Sequence, residues 1–558
     1  MTDRPEASMP SEREIAFPRL TVSQINALRP FGRVRPVDMG EVLFAEGDRG
    51  FSFFVVLDGA VEIVEHSRGT AYSVTVHEPG EFTGDVDMLS GRVALVTARM
   101  ARPGQLLELS ATTLRQAVDA LPEFGEIVLK AFLARRTLLL SEGFEGLKII
   151  GSRFSPDAHR LRDFAARNAI PFTWIDLETD QQAENLLREF GVPASATPVV
   201  LTRDGHYLAN PSFAEIGRCA GLEVALDPAE LHDLIVVGAG PAGLAAAVYA
   251  ASEGLDVLVI ERMASGGQAG TSSRIENYLG FPTGISGVEL TRNALLQAQK
   301  FGARITVPGT VTRLGNDGGV RIITLDDGSR IRARCVLVAS GVEYRRLDVP
   351  RLGDFEGAGV YYAATDTEAK QCRGEEVVVV GAGNSAGQAI VSLSRQARTV
   401  HVVVRGDDLG KSMSRYLVDR VEHIENVHIY RGAAVVSLEG DGHLEAVRIR
   451  DTAGKEVRIA APSLFLFIGA DPYTTWLSGC VQLDKKGFVL TGTALPAEAF
   501  RSEAWRAAGR PPFFLETSLP GVFAAGDVRS GSIKRCASAV GEGAMAVSFV
   551  HAYIEAAV

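Results

Sequence analysis

The sequence predicts a multidomain protein with a β jelly roll, then a small α/β domain, then two nested Rossmann-like domains. Two glycine-rich turns, at 238–243 and 381–387, each follow a run of β-branched residues and open an alanine-rich, helix-prone segment. Short strand-like runs separated by glycine turns favour the jelly roll. Alternating strand-like and helix-like segments from 146 to 226 favour the α/β domain. A chain of 558 residues has room for these domains.

We expect domain boundaries where these patterns change. A flexible tail covers 1–16, the jelly roll covers 17–143 and the α/β domain covers 144–226. The first Rossmann-like domain covers 231–343 and 467–558, and the second, at 344–466, is inserted into it.

Composition excludes several classes of function. The net charge of −11 argues against a nucleic-acid surface, which needs clustered positive charge. The apolar stretch 234–251 is interrupted by Gly238, Gly240, Pro241 and Gly243, which predicts a strand, turn and buried helix rather than a membrane span. The five cysteines include no Cys-x-x-Cys pair, which fits a reduced, cytoplasmic protein without disulfides. No metal site is predicted.

The elements of the first two domains follow from the same patterns. In the jelly roll, strands are predicted at 41–44, 53–57, 61–64 and 93–98, turns at Asp58-Gly59 and Pro79-Gly80, and a helical stretch at 111–140. In the α/β domain, strands are predicted at 147–151, 172–176 and 198–201, and helices at 158–168 and 181–189.

Each glycine-rich turn is typical of a dinucleotide site. The first glycine, Gly238 or Gly381, allows the tight turn, and the second, Gly240 or Gly383, lets the backbone approach a pyrophosphate. The third position needs a small side chain for helix–strand packing. It is filled by Gly243 in one turn and Ala386 in the other. The helix that follows, starting at Pro241-Ala242 or Asn384-Ser385, points its unpaired N–H groups at the phosphates.

The residue after the next strand separates the two ligands. Glu261 ends the strand 256–260, and a carboxylate there accepts hydrogen bonds from ribose hydroxyls and repels a 2′-phosphate. Arg405 ends the strand 400–404, and an arginine there pairs with a 2′-phosphate, with Lys411 as a further cation. We therefore expect FAD at the first site and NADPH at the second. NADH stays open because Gly406 and Asp407 weaken the basic cluster.

Residues 231–558 resemble the low-molecular-weight thioredoxin reductases and their relatives, including thioredoxin-reductase-like ferredoxin–NADP reductases. Both glycine turns, Gly266-Gly267-Gln268, Glu276-Asn277-Tyr278, Ala339-Ser340-Gly341 and 521–527 with Arg535-Cys536-Ala537 carry the resemblance. It implies a homodimer with FAD on the first unit and NADPH on the second. It also implies flavin contacts by these residues: Gly267, Gln268, Asn277, Gly526, Asp527, Arg535, Cys536 and Ala537.

The redox cysteines of that family are missing. Where thioredoxin reductases carry Cys-x-x-Cys, this chain has Ala364-Thr365-Asp366-Thr367. The α/β domain resembles a thioredoxin or glutaredoxin fold, with a Thr197-Pro198 that is cis in that family, yet its redox turn reads Ser155-Pro156-Asp157-Ala158. A disulfide relay needs an attacking thiolate and a resolving sulfur, so we expect electrons to leave by another route.

Two residues near these motifs are candidates for catalysis. Glu368 falls where the family has an acidic residue that donates a proton, with a surface or helix-capping carboxylate as the alternative. Cys536 is expected near a helix N-terminus beside the flavin, where its pKa would fall, with simple packing as the alternative.

Residues 17–141 resemble a cyclic nucleotide-binding domain through Gly80-Glu81-Phe82-Thr83-Gly84-Asp85 and Ser90-Gly91-Arg92-Val93-Ala94. The resemblance implies that Asp85 contacts the ribose and Arg92 the cyclic phosphate. Asp85 is one methylene shorter than the family's Glu, and Val93 removes a hydroxyl donor. We therefore expect cyclic nucleotide binding to be weak or absent.

Together these features predict an FAD enzyme that takes hydride from NADPH and reduces an acceptor other than an internal disulfide. A ferredoxin- or flavodoxin-type carrier, a quinone or a small molecule would fit. Two alternatives stay open. One is a reductase acting directly on partner disulfides, and the other is a regulatory protein in which bound FAD and NADPH report redox state. Neither a nucleic-acid nor a membrane partner is expected.

Overall fold

The structure, a computed structural model, describes residues 12–67, 70–85, 87–141, 146–180, 183–189, 191–193, 196–202 and 206–556. Its first part, the jelly-roll unit, comprises α1 (Glu12–Ala16), α2 (Val22–Leu28), β1 (Arg33–Val37), β2 (Val42–Phe44), β3 (Phe53–Ser67), β4 (Thr70–His77), α3 (Asp87–Ser90), β5 (Thr97–Leu109), α4 (Ala111–Ala120) and α5 (Pro122–Ser141). The strands form an antiparallel sheet in the order β1-β5-β3-β4, with β2 paired to β5. The ring of Phe53 lies in the core, 5.3 Å from that of Phe82 and 6.1 Å from that of Phe124.

The predicted flexible tail is wrong for its last residues, because 12–16 form helix α1. Arg135 Nε donates a 2.7 Å hydrogen bond to the carbonyl oxygen of Ala16, which is fully buried. This contact fixes α1 against α5. Residues 1–11 lie outside the described ranges.

The predicted turn at Asp58-Gly59 is a β-bulge within one long strand. β3 runs through both residues, and its register against β5 shifts on either side of Asp58. Gly59 has φ +85°, and a Cβ there would lie 2.6 Å from the carbonyl oxygens of Arg102 and Pro103. Both the left-handed backbone and the close approach require glycine. A turn and a bulge need the same residue, so the sequence pattern did not separate them.

The predicted helical stretch at 111–140 consists of two helices, α4 and α5, that meet at Leu121. Leu121 has φ −123° and ψ 82°. The ring of Pro122 disfavours helical geometry for the residue before it, so α4 ends there.

The second part, the thioredoxin-like unit, comprises β6 (Leu147–Gly151), α6 (Pro156–Arg167), β7 (Phe172–Asp176), α7 (Ala183–Glu189), β8 (Val199–Leu201), β9 (Tyr207–Ala209) and α8 (Phe213–Cys219). The sheet order is β7-β6-β8-β9, with β6 parallel to β7 and the other pairs antiparallel. The Thr197-Pro198 bond is cis, as predicted. The first two residues of the predicted helix 181–189 lie outside the described ranges.

The first Rossmann unit begins with β10 (Leu231–Val237), α9 (Pro241–Ser252), β11 (Val257–Ile260), α10 (Gly287–Lys300), β12 (Arg304–Thr306), β13 (Val311–Asp317), β14 (Val320–Leu325), β15 (Arg330–Val338) and β16 (Val342–Tyr344). Strands β12, β11, β10 and β15 are neighbours and run parallel, and β14 and β13 continue the sheet antiparallel.

The second Rossmann unit follows, with α11 (Leu352–Phe355), β17 (Val360–Tyr361), α12 (Asp366–Gln371), β18 (Glu376–Val380), α13 (Asn384–Leu393), β19 (Thr399–Val404), α14 (Arg415–Glu422), β20 (Val427–Arg431), β21 (Ala433–Glu439), β22 (Ala446–Asp451), β23 (Glu456–Ile459) and β24 (Ser463–Leu466). A parallel sheet in the order β17-β24-β18-β19-β20 forms its centre, and β21-β22-β23 form a separate antiparallel sheet.

The chain then returns to the first Rossmann unit through β25 (Ala470–Pro472), α15 (Glu503–Ala508), β26 (Val522–Ala524) and α16 (Cys536–Ala556). β26 adds to the first unit's parallel sheet beside β15. The two passages of the chain between the units pair as the antiparallel strands β16 and β25. Within the described ranges, no helix combines the length and the apolar character that crossing a membrane requires.

Substituting Gly59→Ala is expected to destabilise the β3–β5 pair by about 2–4 kcal/mol, because it adds a clash to left-handed strain. Gly40→Ala is the matched control. Gly40 has a similar φ of +81° but open space around the Cβ position, so only about 1–2 kcal/mol of strain is expected. Hydrogen–deuterium exchange of peptides covering β3 measures the local opening free energy. Equal acceleration in the two variants would contradict the close approach.

Candidate dinucleotide sites and the face between them

The first glycine turn joins β10 to α9, and Gly238 and Gly243 in it leave no room for a side chain. Gly238 has φ +106°, and a Cβ on it would lie 2.3 Å from the carbonyl oxygen of Ala339. A Cβ on Gly243 would lie 1.9 Å from the carbonyl oxygen of Gly238. By contrast, a Cβ on Gly240 would meet nothing within 4 Å, although its φ is an ordinary −74°. The turn therefore leaves a cradle at the N-terminus of α9, bordered by Pro241.

Glu261 closes this cradle from the end of β11. It is buried, and its Oε2 accepts a 2.8 Å hydrogen bond from the N–H of Ala239 while Oε1 accepts one of 2.9 Å from Met263 N–H. An ionised carboxylate has further lone pairs for hydroxyl donors but repels phosphate. The geometry therefore fits an adenosine ribose with free hydroxyls.

Three of the residues that the resemblance assigns to the flavin, Gly267, Gln268 and Asn277, lie in different places. A Cβ on Gly267 would lie 3.1 Å from Gly240 Cα, which puts Gly267 at the cradle. Gln268 Nε2 donates a 2.6 Å hydrogen bond to the carbonyl oxygen of Val342, at the start of β16. Asn277 is exposed on the loop before α10.

The C-terminal motif reaches the same cradle. A Cβ on Gly526, which has φ +77°, would lie 2.9 Å from Ala242 Cβ in α9. The N–H of Gly526 donates a 2.7 Å hydrogen bond to Glu542 Oε2, and Arg529 also pairs with Glu542. Sequence reasoning missed Glu542, because nothing marks an acidic residue within a helix as a partner of a distant turn. Burial raises the pKa of Asp527 above its usual range.

Cys536, Arg535 and Ala537 lie at the start of α16. Arg535 and Ala537 are exposed and Cys536 is half-buried. The expected fall in the pKa of Cys536 is wrong: burial, with the nearby charge of Asp527, raises the pKa to about 11. Desolvation of the thiolate outweighs the helix N-terminus.

The second glycine turn repeats the first. Gly381 has φ +141°, and a Cβ there would lie 2.4 Å from the carbonyl oxygen of Phe467, whereas the space around Gly383 is open. Ala386 is fully buried in the first turn of α13. Asn384 Oδ1 accepts a 2.7 Å hydrogen bond from the N–H of Ser414, which ties α13 to α14, and Ser385 is exposed.

Arg405 directly follows β19 and is exposed, as is Lys411 in the next turn. Ser412 Oγ, next to Lys411, donates a 2.8 Å hydrogen bond to the carbonyl oxygen of Ala382 in the glycine turn. The loop 405–412 therefore returns to the second cradle and carries two exposed cations toward it.

Comparison with known proteins identifies the family. The family model for "Pyridine nucleotide-disulphide oxidoreductase" matches residues 232–543, which is more than half of the chain. The chain belongs to this family. A second model, "Cyclic nucleotide-binding domain", matches residues 34–120.

Several thioredoxin reductases are similar to this oxidoreductase. That of Mycolicibacterium smegmatis is 34% identical over 317 residues, covering 57% of this chain and 94% of the relative. The Lactococcus lactis structure, in its FR conformation, has 26% identity and a TM-score of 0.51 over 58% of this chain and 99% of that one. The T. acidophilum structure has 28% identity and a TM-score of 0.51, covering 59% of this chain and 99% of that one.

These matches confirm the predicted fold class and enzyme class. The protein is a thioredoxin-reductase-like flavoprotein oxidoreductase with FAD and NADPH as its cofactors, preceded by a cyclic nucleotide-binding domain. The open spaces at Gly240 and Gly383 fit the pyrophosphate groups that such cofactors carry.

The oxidoreductase has no sulfur at the positions where the resemblance to thioredoxin reductases places the redox cysteines, and the thiol of the nearby Cys372 is a poor nucleophile. Ala364 is buried at the position of the first. Cys372, in the same apolar cluster as Ala364, is fully buried, and burial raises its pKa to about 11. A raised pKa leaves little thiolate at neutral pH.

Glu368 makes the helix-capping contacts that the sequence left as the alternative. It is 3% exposed, and its Oε2 accepts a 2.8 Å hydrogen bond from the N–H of Thr365 and another from the Thr365 hydroxyl. Its Oε1 lies 3.8 Å from His159 Nε2 of the thioredoxin-like unit. Both oxygens of this carboxylate therefore face protein groups.

The jelly-roll unit contains a cavity of about 290 Å³ between its strands and α5. Asp85 lines it and also faces Arg136 at 3.9 Å, but Arg92 is not among the residues of the described chain that line it. Arg135 also lines it, yet its guanidinium donates to the carbonyl oxygens of Ala16, Gly84 and Phe82. The cavity therefore offers a cyclic phosphate few uncommitted cations. Sequence reasoning missed Arg135, because nothing in the sequence separates it from the neighbouring Arg136 in α5.

Alkylation of Cys536 by iodoacetamide is expected to be slow at pH 8 and to accelerate toward pH 11, because the thiolate is the nucleophile. With a pKa of about 11, only about a thousandth of the thiol is ionised at pH 8. Peptide mass spectrometry resolves Cys536 from Cys219, an exposed cysteine that serves as the internal reference. Labelling of Cys536 as fast as that of Cys219 at pH 8 would contradict the raised pKa.

Proposed function

We propose that this oxidoreductase oxidises NADPH and passes two electrons, by way of FAD, to an acceptor other than an internal disulfide. The observation that carries the proposal is the absence of sulfur at Ala364 and Thr367 and at Ser155 and Ala158. The raised pKa values of Cys372 and Cys536 support it, because neither thiol is an effective replacement nucleophile.

The site residues have distinct proposed roles. The N-terminus of α9, with Gly238, Gly240 and Gly243, holds the FAD pyrophosphate, and Glu261 accepts from its ribose. Asp527 lies beside the ribityl region, and the amides near Cys536 and Ala537 face the ring. The N-terminus of α13, with Gly381 and Gly383, holds the NADPH pyrophosphate, and Arg405 and Lys411 hold its 2′-phosphate. When bound, FAD supplies the two-electron carrier, and the chain contributes placement of the rings and exclusion of water.

The acceptor class is a ferredoxin- or flavodoxin-type carrier, a quinone or a small organic molecule. We also propose a homodimer. Tyr249, Val288 and Met545 support it, because they are 47%, 59% and 45% exposed on helix α9 and on the two helices that pack against it, α10 and α16. We further propose that cyclic nucleotides are not ligands of the jelly-roll cavity, because Arg92 lies outside its lining.

Stopped-flow mixing of the FAD-loaded protein with NADPH tests the function. Rapid bleaching of the flavin absorbance, followed by turnover with a quinone or ferredoxin but not with oxidised thioredoxin, is the expected outcome. Turnover with thioredoxin would instead favour direct reduction of partner disulfides. No bleaching by either NADPH or NADH would overturn both and favour a redox-sensing role. Sedimentation velocity of the same preparation measures its oligomeric state.

Arg405→Ala is expected to raise the KM for NADPH about 10- to 100-fold and to change the KM for NADH little. A charge-assisted hydrogen bond to the 2′-phosphate is worth about 1.5–3 kcal/mol. Arg398→Ala is the matched control, since Arg398 is exposed at the other end of β19 and pairs with Glu376. Steady-state kinetics with both nucleotides provide the measurement. Equal effects on NADPH and NADH would rule out the 2′-phosphate role.

A further inference from the structure

Helix α6 of the thioredoxin-like unit contacts the first Rossmann unit at its C-terminal end. Arg167 Nη2 donates a 3.1 Å hydrogen bond to the carbonyl oxygen of Gly267, at the first cradle. Asn168 Nδ2 donates one of 2.9 Å to the carbonyl oxygen of Met263. The loop after β11, which shapes the first cradle, is therefore held by this helix end.

The other end of the same helix contacts the second Rossmann unit. Phe154, just before α6, stacks on His443 with ring centroids 4.2 Å apart and planes at 27°. His159 faces Glu368 at 3.8 Å, and its ring lies 5.2 Å from that of Tyr361. A twelve-residue helix is about 18 Å long, so α6 spans from one Rossmann unit to the other.

The approach at this second end is close enough to need a glycine. Gly357 of the second Rossmann unit has φ +80°, and a Cβ there would lie 3.0 Å from Pro156 Cα and 3.4 Å from Pro156 Cβ. Arg162, in the middle of α6, is buried enough to lower its pKa, while the charge of Glu368 opposes that fall. The contact is thus a packed interface with buried charge, not a loose touch.

This interface brings together the two segments that lack redox sulfur. Ser155–Ala158 immediately precedes His159, and 364–367 immediately precedes Glu368, and these two residues face each other. No thiol lies on either segment, so no covalent exchange occurs there. Charge, aromatic stacking and backbone packing hold the segments together without any bond that turnover must break.

The interface also bears on the hinge between the Rossmann units. The covalent chain passes between them at the paired strands β16 and β25, of three residues each, and the exposed ion pair Arg420–Glu276 also joins them. Short two-stranded connections of this kind permit rigid-body rotation. A third body that grips both units removes that freedom, because rotation about β16–β25 would break the contacts at one end of α6.

We propose that the thioredoxin-like unit is a permanent internal partner of the two Rossmann units. It covers the face around Glu368, fixes the angle between the units, and excludes disulfide-carrying proteins from that face. One consequence is that acceptors reach the FAD site from another side, and this consequence rests on the proposed function. Segment 154–168 of this chain occupies the face, through Phe154, Pro156 and His159.

A disulfide tether tests this directly. The Cβ separation of 3.4 Å between positions 156 and 357 is close to the 3.5–4.5 Å of natural disulfides. In FAD-loaded, full-length Pro156→Cys/Gly357→Cys, mild oxidation is expected to link the two positions. The tethered enzyme is expected to bleach with NADPH, and to turn over with a quinone, at about the rate of its reduced form, within twofold. Peptide mass spectrometry confirms the link before and after turnover.

Two further variants keep the test decisive. Gly357 has a left-handed backbone, so a cysteine there is strained and the first variant can fail to fold. In that case Phe154→Cys/His443→Cys, linked by a short bifunctional thiol reagent, replaces it. Tyr207→Cys/Gly357→Cys is the matched control for random collision, because Tyr207 is 44% exposed on the edge strand β9 of the same unit. The control is expected not to link.

Failure of folded variants to link at both pairs overturns the docking. A tenfold or larger loss of bleaching rate on tethering overturns the fixed angle, because it shows that the thioredoxin-like unit must separate from the second Rossmann unit during flavin reduction. If the untethered enzyme itself fails to bleach, the proposed function fails, while the link still reports whether the docking exists.

Discussion

The close approach of α9 to its surroundings is the constraint on which the first Rossmann unit depends. The missing Cβ of Gly243 lets the first turn of α9 lie against the carbonyl oxygen of Gly238. On the other side of the helix, a Cβ on Gly543 of α16 would lie 2.0 Å from the carbonyl oxygen of Ala242. With backbone contact on both sides, the N-terminus of α9 has one position, at the carboxyl edge of the sheet. Glu261 and Gly526 converge there because both follow strands of that sheet.

The same backbone device appears in the second Rossmann unit with opposite charge at the equivalent strand end. Glu261 is buried and shared between two backbone amides, so it acts partly as structure and cannot move without freeing Ala239. Arg405 is exposed and does not hold neighbouring backbone in place in this way. A buried carboxylate that accepts two backbone hydrogen bonds suits a cofactor that stays bound. An exposed arginine on a surface loop suits a nucleotide that enters and leaves. The two glycine-turn sites thus differ in how long they suit a bound ligand, as well as in the charge of the residue at the strand end.

Patterns of local origin could be predicted from the sequence. The glycine turns and the residues that end β11 and β19 depend on neighbouring residues, and the structure places them as expected. The cis Thr197-Pro198 is instead implied by the resemblance to thioredoxin. What failed depends on distant partners. Gly59 fits a turn or a bulge until β5 lies beside it, and the pKa of Cys536 depends on burial that a helix start does not reveal. Phe154 and His443 are 289 positions apart in sequence, and no local pattern pairs them.

Sulfur chemistry and docking have opposite requirements, and this explains why the two sulfur-free segments can remain together. A thioredoxin that exchanges disulfides must bind, react and leave, so its interface with a reductase has to be weak. Here the turn before α6 carries no thiol, and its neighbours instead make a stacked ring pair, a buried carboxylate facing His159 and a glycine-dependent backbone contact. These interactions need no release step. Because the unit is also part of the same chain, its effective concentration at the face is high, and a free protein would have to displace it. A domain without redox sulfur can therefore act through its surface alone, by holding two cofactor-binding units at one angle.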